Sequence, residues 1–463
     1  MKRCCWGECG VWNRLDAGFC RACGRELEGA MLSEWPMHGG GAGRTSLKAS
    51  VRTRLREGDP SPMALEDYGL GQHQGDVAHP VLYRDDLLLP NLNEEGFSLF
   101  SPAVKRTLWT CRLWARPDAS ATPVQFGANA YAALRSDDAV VFVAIRLDTG
   151  EPRFLHMAAS DLSPQQSPLY VGKPDGGAAI AWPLRHGLAL MRFDEEGKLM
   201  HSDGRRVTVI PCRGLAADEY VLSPIGLQDR IATVTTSGKV FEIPWTTSLR
   251  ELEFRGAKKV AALDGAWRCG PPVVAPDVGV VFLAAQLEDA SGRGRGEAAR
   301  LFLAMNAFHG HVDTIPLERS EGADSPDEAE MVPMVDFLDR ERPLVAPGNL
   351  FVPSLQPGLY RVILASEGEA KVEWKKAFGP LRMSRFTGTR DFLVVFRQGE
   401  ASGYELSNLY SKTGVEGRPF PLRDAHNNPR IPVADPVLSR KALYVLSEDC
   451  LFELPLVRTG ERD

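Results

Sequence analysis

The sequence predicts an all-β protein: a β-propeller of eight blades, with seven as the alternative, preceded by a small four-cysteine zinc module. Three observations carry that expectation. Five cysteines crowd into the first 23 residues, and only four follow in the rest of the 463. From Pro80 onward, short apolar runs recur behind a common leader, a proline followed by an apolar residue. Turn residues punctuate the chain throughout, while helical periodicity is almost absent.

The zinc module occupies residues 1–28. Cys5 and Cys9 are separated by three residues, and Cys20 and Cys23 by two. Four thiolates in two such pairs can surround Zn²⁺ tetrahedrally when each pair sits on a tight knuckle. Gly10 and Gly24 each follow the second cysteine of a pair, where the backbone must turn its amides toward a metal-bound sulfur. A segment of about 28 residues cannot build its own core, so the metal must supply the folding energy. Cys4 is an alternative to Cys5, although the shorter gap from Cys5 closes the tighter knuckle. One structural zinc is therefore expected, on Cys5, Cys9, Cys20 and Cys23. Residues 29–45 follow as a Gly-rich linker around Gly39-Gly40-Gly41.

Residues 46–463 form the propeller. Strand-like runs lie at Leu87–Leu89, Val140–Val143, Ile231–Thr235, Val280–Leu283, Phe392–Phe396 and Leu443–Leu446. Their leaders are Pro80-Val81, Pro123-Val124, Pro168-Leu169, Pro224-Ile225, Pro272-Val273, Pro343-Leu344, Pro380-Leu381 and Pro436-Val437. Successive leaders lie roughly 40–70 residues apart, the spacing of four-stranded blades with uneven loop insertions. Eight leaders imply eight blades; the sixth follows a long insertion and leaves seven open. Ring closure makes a further demand, because the last strands end near Leu456, too soon for a complete final blade. The strand-like segment Leu47–Leu55 is therefore expected to complete that blade as its outer strand.

Three resemblances add to this reading. Phe19-Cys-Arg-Ala-Cys-Gly-Arg-Glu-Leu27 resembles the closing half of zinc ribbons on bacterial multidomain proteins. The cysteine spacing, with Asn13 between the pairs, is also similar to the Ran-binding-protein type of zinc finger, whose members bind ubiquitin or single-stranded RNA. The Thr-Phe pair of the ubiquitin binders is replaced here by Gly10-Val11, whereas Trp12, Arg14, Arg21 and Arg25 imitate the aromatic and arginines of the RNA binders. Further on, Trp35-Pro-Met-His-Gly-Gly and Arg44-Thr45 resemble the opening of pyrroloquinoline-quinone-like propellers. Leu147-Asp-Thr-Gly150 with Phe154, Val240-Phe-Glu-Ile243 and Leu451-Phe-Glu-Leu454 resemble parts of their repeat. Quinone-dependent dehydrogenases of that family carry an adjacent cysteine pair over the cofactor. The adjacent pair here, Cys4-Cys5, lies in the zinc module, so quinone chemistry is not implied.

Composition bounds the function. Apolar residues make up 44%, charged residues 25%, and the net charge is −6, which offers no global field for nucleic acid. The chain lacks the features of a signal peptide or membrane span, so a cytoplasmic protein is expected. Cys111, Cys212, Cys269 and Cys450 read as small core residues. His309, His311 and Asp313 form the one histidine cluster with metal-ligand spacing, and the plain reading is a polar loop. Asp85-Asp86 and Asp137-Asp138 read as turn residues. Glu288–Glu297 and the acidic segment Glu318–Glu330 read as solvated insertions. No catalytic motif emerges. The expectation is a non-enzymatic interaction scaffold, a subunit of a larger bacterial assembly beside an ATPase or defence-type effector. The alternatives are a single-stranded RNA adaptor acting through the zinc module, and a degenerate enzyme with a site in the propeller channel.

Overall fold

A computed structural model shows a chain built almost wholly of β-strands. It describes residues 60–287 and 417–458 apart from short breaks, and the strands that lie between them. Before residue 60 it describes 2–3, 12–13, 47–48 and 53–56. Among the described residues, eight sheets of four or five strands follow one another. They begin at Val81, Val124, Leu169, Ile225, Trp267, Leu344, Arg382 and Val437, apart from strands added from the N-terminal segment. Apart from those added strands, neighbours within each sheet run antiparallel and mostly pair in chain order, as a propeller-like fold requires. The six strand-like runs read from the sequence all fall on strands. Among the described residues no helix is long and apolar enough to cross a membrane.

The leaders have a physical role. In seven of the eight, the apolar residue after the proline is the first residue of a strand: Val81, Val124, Leu169, Ile225, Val273, Leu344 and Val437. Proline has no N–H to donate, so it fits just ahead of a strand, and it biases the preceding residue toward extended backbone. The seventh leader differs, because its strand begins at Arg382. The leader strands touch in turn. Val81–Tyr83 lies against Val124–Phe126, and the contacts continue through Leu169–Gly172, Ile225–Gly226, Val273–Ala275 and Leu344–Ala346. Val81, Val124, Leu169, Ile225 and Val273 are all completely buried.

The residues ahead of these prolines stitch the sheets together. Asp435 N–H donates to His79 Nδ1 at 2.9 Å, joining the eighth sheet to the first. His79 N–H donates to Thr122 Oγ1 at 2.9 Å, joining the first to the second. Ser167 N–H donates to Ser223 Oγ at 2.9 Å, joining the third to the fourth. Each such bond satisfies a buried amide that no ladder reaches.

The core lies between sheets. Phe142, Trp182, Phe193 and Phe241 belong to one buried cluster running through the second, third and fourth sheets. Phe100, Phe396, Phe420 and Phe452 belong to another that joins the first, seventh and eighth. The eighth sheet is thus packed on both sides, against the seventh and the first.

Closure follows the expectation in part. Thr53–Leu55 pairs antiparallel with Arg458–Leu456, and Ser61–Ala64 pairs with Glu453–Cys450, so the N-terminal segment forms the outer edge of the last sheet. Leu55 is buried in the same cluster as Leu454. Leu47–Lys48 does not continue that strand. It runs parallel to Gly388–Thr389 on the edge of the seventh sheet.

Candidate functional site

The outer strand of the first sheet, Arg106–Arg112, leads into a segment whose side chains alternate in exposure from Arg112 to Arg116. Arg112, Trp114 and Arg116 are exposed, while Leu113 and Ala115 between them are half-buried. Trp114 is 74% exposed. It also has a φ of 50°, in the left-handed region where bulky residues are rare. Such a conformation costs roughly 1–3 kcal/mol and persists only where the surroundings impose it.

Glu95 imposes it. The Glu95 carbonyl accepts from Leu113 N–H at 3.1 Å and from Ala115 N–H at 3.4 Å. Two amides converging on one oxygen force the residue between them to bulge outward. Glu95 itself sits in a turn with a φ of 47°, followed by Gly96. A Cβ on Gly96 would lie 2.0 Å from the Cys111 carbonyl oxygen, so only glycine lets this turn press against the outer strand. Downstream, Ala78 N–H donates to the Pro117 carbonyl at 3.0 Å. The Asp118 carboxylate accepts from Ser120 and Ala121 N–H at 2.8 and 3.2 Å. The segment that carries Trp114 is therefore held at both ends.

Trp114 stands at a cleft of 390 Å³ between the first and second sheets, with Leu134, Val141 and Val143 among its apolar lining residues. Cross-strand pairing extends this wall. Phe154 faces Val143 and Met157 faces Val141. Both are 59% exposed, although each could have been turned to a core. The rim is cationic. The Arg112 guanidinium lies 5.7 Å from the centre of the Trp114 ring. Arg135 lies 3.9 Å from Asp118 and 3.5 Å from Asp161, so its charge is compensated. Arg116 and Arg112 have no acid within ion-pair distance among the described residues.

Arg116, Arg135 and Ser136 are among the polar lining groups, and arginine stays protonated at any ordinary pH, so the positive charge they present is fixed. Elsewhere, Cys111, Cys212, Cys269 and Cys450 are buried, as expected. Burial pushes the Cys111 thiol up to about 11 and the Cys269 thiol to about 12, far from a reactive thiolate.

Asp85 and Asp86 stand at the turn into a strand, as expected, and Asp85 also pairs with Lys441 at 2.9 Å. The zinc residues Cys5, Cys9, Cys20 and Cys23, and Cys4 with them, lie outside the described residues. So do His309, His311, Asp137, Asp138 and the two charged insertions. Asp313 lies on the strand Val312–Ile315. Among the described residues no group of three or more His, Cys, Asp or Glu is placed to hold a metal. Sequence reasoning missed Trp114. The available signal was the alternation of Arg112, Trp114 and Arg116 beyond an outer strand.

No family model matches the chain, and no curated protein does. Solved structures similar to it include BamB from Moraxella catarrhalis, at 11% identity and a TM-score of 0.47, covering 88% of this chain and 98% of that one. A puromycin-hydrolysing peptidase of Mycobacterium tuberculosis is similar at 12% identity and a TM-score of 0.44, covering 82% of this chain and 61% of that one. AztD from Citrobacter koseri is similar at 13% identity and a TM-score of 0.40, covering 65% and 71% respectively.

Proposed function

We propose that the chain is a non-enzymatic interaction scaffold: an eight-bladed propeller that serves as a subunit of a larger cytoplasmic protein assembly. A structural zinc on Cys5, Cys9, Cys20 and Cys23 holds its N-terminal module. The observation that carries the scaffold reading is the fixed outward display of Trp114 by the Glu95 carbonyl. A large aromatic held in solvent and flanked by arginines has the composition of a binding hot spot. Eight successive sheets favour eight blades over seven. Pairing of Arg3 with Trp12 brackets the segment that contains Cys5 and Cys9, which favours the zinc reading.

The test is co-purification from the native host after nuclease treatment, comparing wild type with Trp114→Ala. Circular dichroism checks that both are folded. The wild type should elute in a stoichiometric protein complex, and the variant should lose its partner. A wild type that runs alone, or a complex indifferent to Trp114→Ala, overturns the reading.

A further inference from the structure

Given that the Trp114 cleft is a protein-binding site, as proposed above, we infer that its occupant is an acidic linear peptide segment: an apolar side chain enters beside Trp114 and a neighbouring carboxylate meets Arg112 and Arg116.

Three observations define the occupant. The first is charge. Arg135 is compensated by Asp118 and Asp161, whereas Arg112 and Arg116 stand exposed without an acid partner among the described residues. Arg112 and Arg116 flank Trp114 two positions to either side, and exposed guanidiniums without an acid partner offer charge-assisted hydrogen bonds to carboxylates. The second is exposed apolar surface. Val141 and Val143 line the cleft, and their cross-strand partners Met157 and Phe154 are each 59% exposed. Adaptable methionine suits an aliphatic side chain of variable shape. The third is size. The cleft is 390 Å³, near the lower end of the ~300–1,000 Å³ range of ligand pockets. It takes side chains of one segment, whereas a stable interface between folded domains needs about 800 Å² per partner.

Nucleic acid fits less well. Arg112, Trp114 and Arg116 offer one stacking surface and two free cations, while single strands are held by a continuous positive groove with successive aromatics. The chain carries a net charge of −6, so no global field draws in a polyphosphate, and only local cations within about 8 Å, the screening length at physiological salt, act on it. A short acidic segment is drawn by the local pair alone.

The experiment is selection from a random-peptide display library on wild type, on Trp114→Ala and on Arg112→Glu/Arg116→Glu. Synthetic versions of the enriched peptide are then measured by fluorescence anisotropy. Peptides enriched on wild type should place Asp or Glu beside Leu, Ile, Val or Met. Trp114→Ala and Arg112→Glu/Arg116→Glu should each weaken the enriched peptide about tenfold or more. Exchanging its acids for lysine should abolish binding to wild type and restore it to the charge-reversed variant. Phe254→Ala, at an exposed aromatic on the helix Leu249–Arg255, should change nothing. Enrichment of basic peptides, no enrichment above the charge-reversed variant, or Trp114-dependent binding of an oligouridine in place of the peptide overturns the inference. A Trp114-dependent complex in the cell without acidic-peptide binding sinks this inference and leaves the scaffold reading standing. Acidic-peptide binding with no complex in the cell does the reverse.

Discussion

Lowering the pH from 7.5 to 5 should weaken the seam between the first and last sheets, and His73 is the residue through which it should act. His73 is 1% exposed, and neither ring nitrogen has a hydrogen-bond partner among the described residues. Its backbone N–H is tied to the Glu448 carbonyl at 2.6 Å, in the eighth sheet's turn. Burial, with Arg116 adding to it, lowers its pKa from 6.5 to about 4. The folded state thus holds His73 neutral, while the unfolded chain takes up a proton once the pH falls below 6.5. Proton uptake by the unfolded state favours unfolding, so this contribution is complete above pH 6.5 and is lost on the way down to about 4. The full loss is about 3 kcal/mol, of which about 2 kcal/mol is gone by pH 5. The assay is urea unfolding of wild type and His73→Leu at both pH values. Carboxylates titrate alike in both proteins, so the difference between their pH dependences isolates His73. At pH 7.5 the variant should match or exceed wild type, because it removes two buried nitrogens without partners. Equal losses of stability in the two proteins between pH 7.5 and 5 would refute the reasoning.

Three further outcomes are expected. A chain beginning at residue 49 should fold with a reduced melting temperature, whereas one beginning at residue 66 should aggregate, because it bares the Cys450–Arg458 edge; equal melting curves would contradict this. Gly96→Ala should destabilise by roughly 2–4 kcal/mol, since its Cβ meets backbone that cannot yield, and it should also weaken partner binding through the displaced Glu95 carbonyl; thermal melts and pull-downs read the two effects. Cys20→Ser should leave no bound zinc by elemental analysis and keep the propeller's melting transition, because the sheets have their own core; retained zinc would reassign the ligands.

Much of the ring was legible in the chain. Pro80-Val81 and its successors mark strand starts because a proline needs no ladder partner and its predecessor is extended. The return of Thr53–Leu55 to the last sheet followed from counting strands, since closure leaves one edge to fill. What stayed hidden depends on meetings across the chain. Leu47–Lys48 pairs with Gly388–Thr389, a partner to which no local pattern points. Trp114 takes its left-handed conformation from a carbonyl nineteen positions earlier, and no local propensity for Trp hints at it. His73 reads as an ordinary polar residue until the eighth sheet's turn covers it.

The pairing of Thr53 with Arg458 also sets how the ring bears mechanical load. In an antiparallel pair of this register, the chain leaves both strands at the same end, one strand spacing or about 4.8 Å apart. Tension applied between a tethered N-terminal module and the C-terminal side would therefore peel the clasp open one hydrogen bond at a time, the weakest direction for a β-ladder. Tension applied across the faces of the ring would load every sheet in parallel. Anchored through its N-terminal segment, the protein would feel the load first at Leu47–Lys48 against the seventh sheet and then at this clasp.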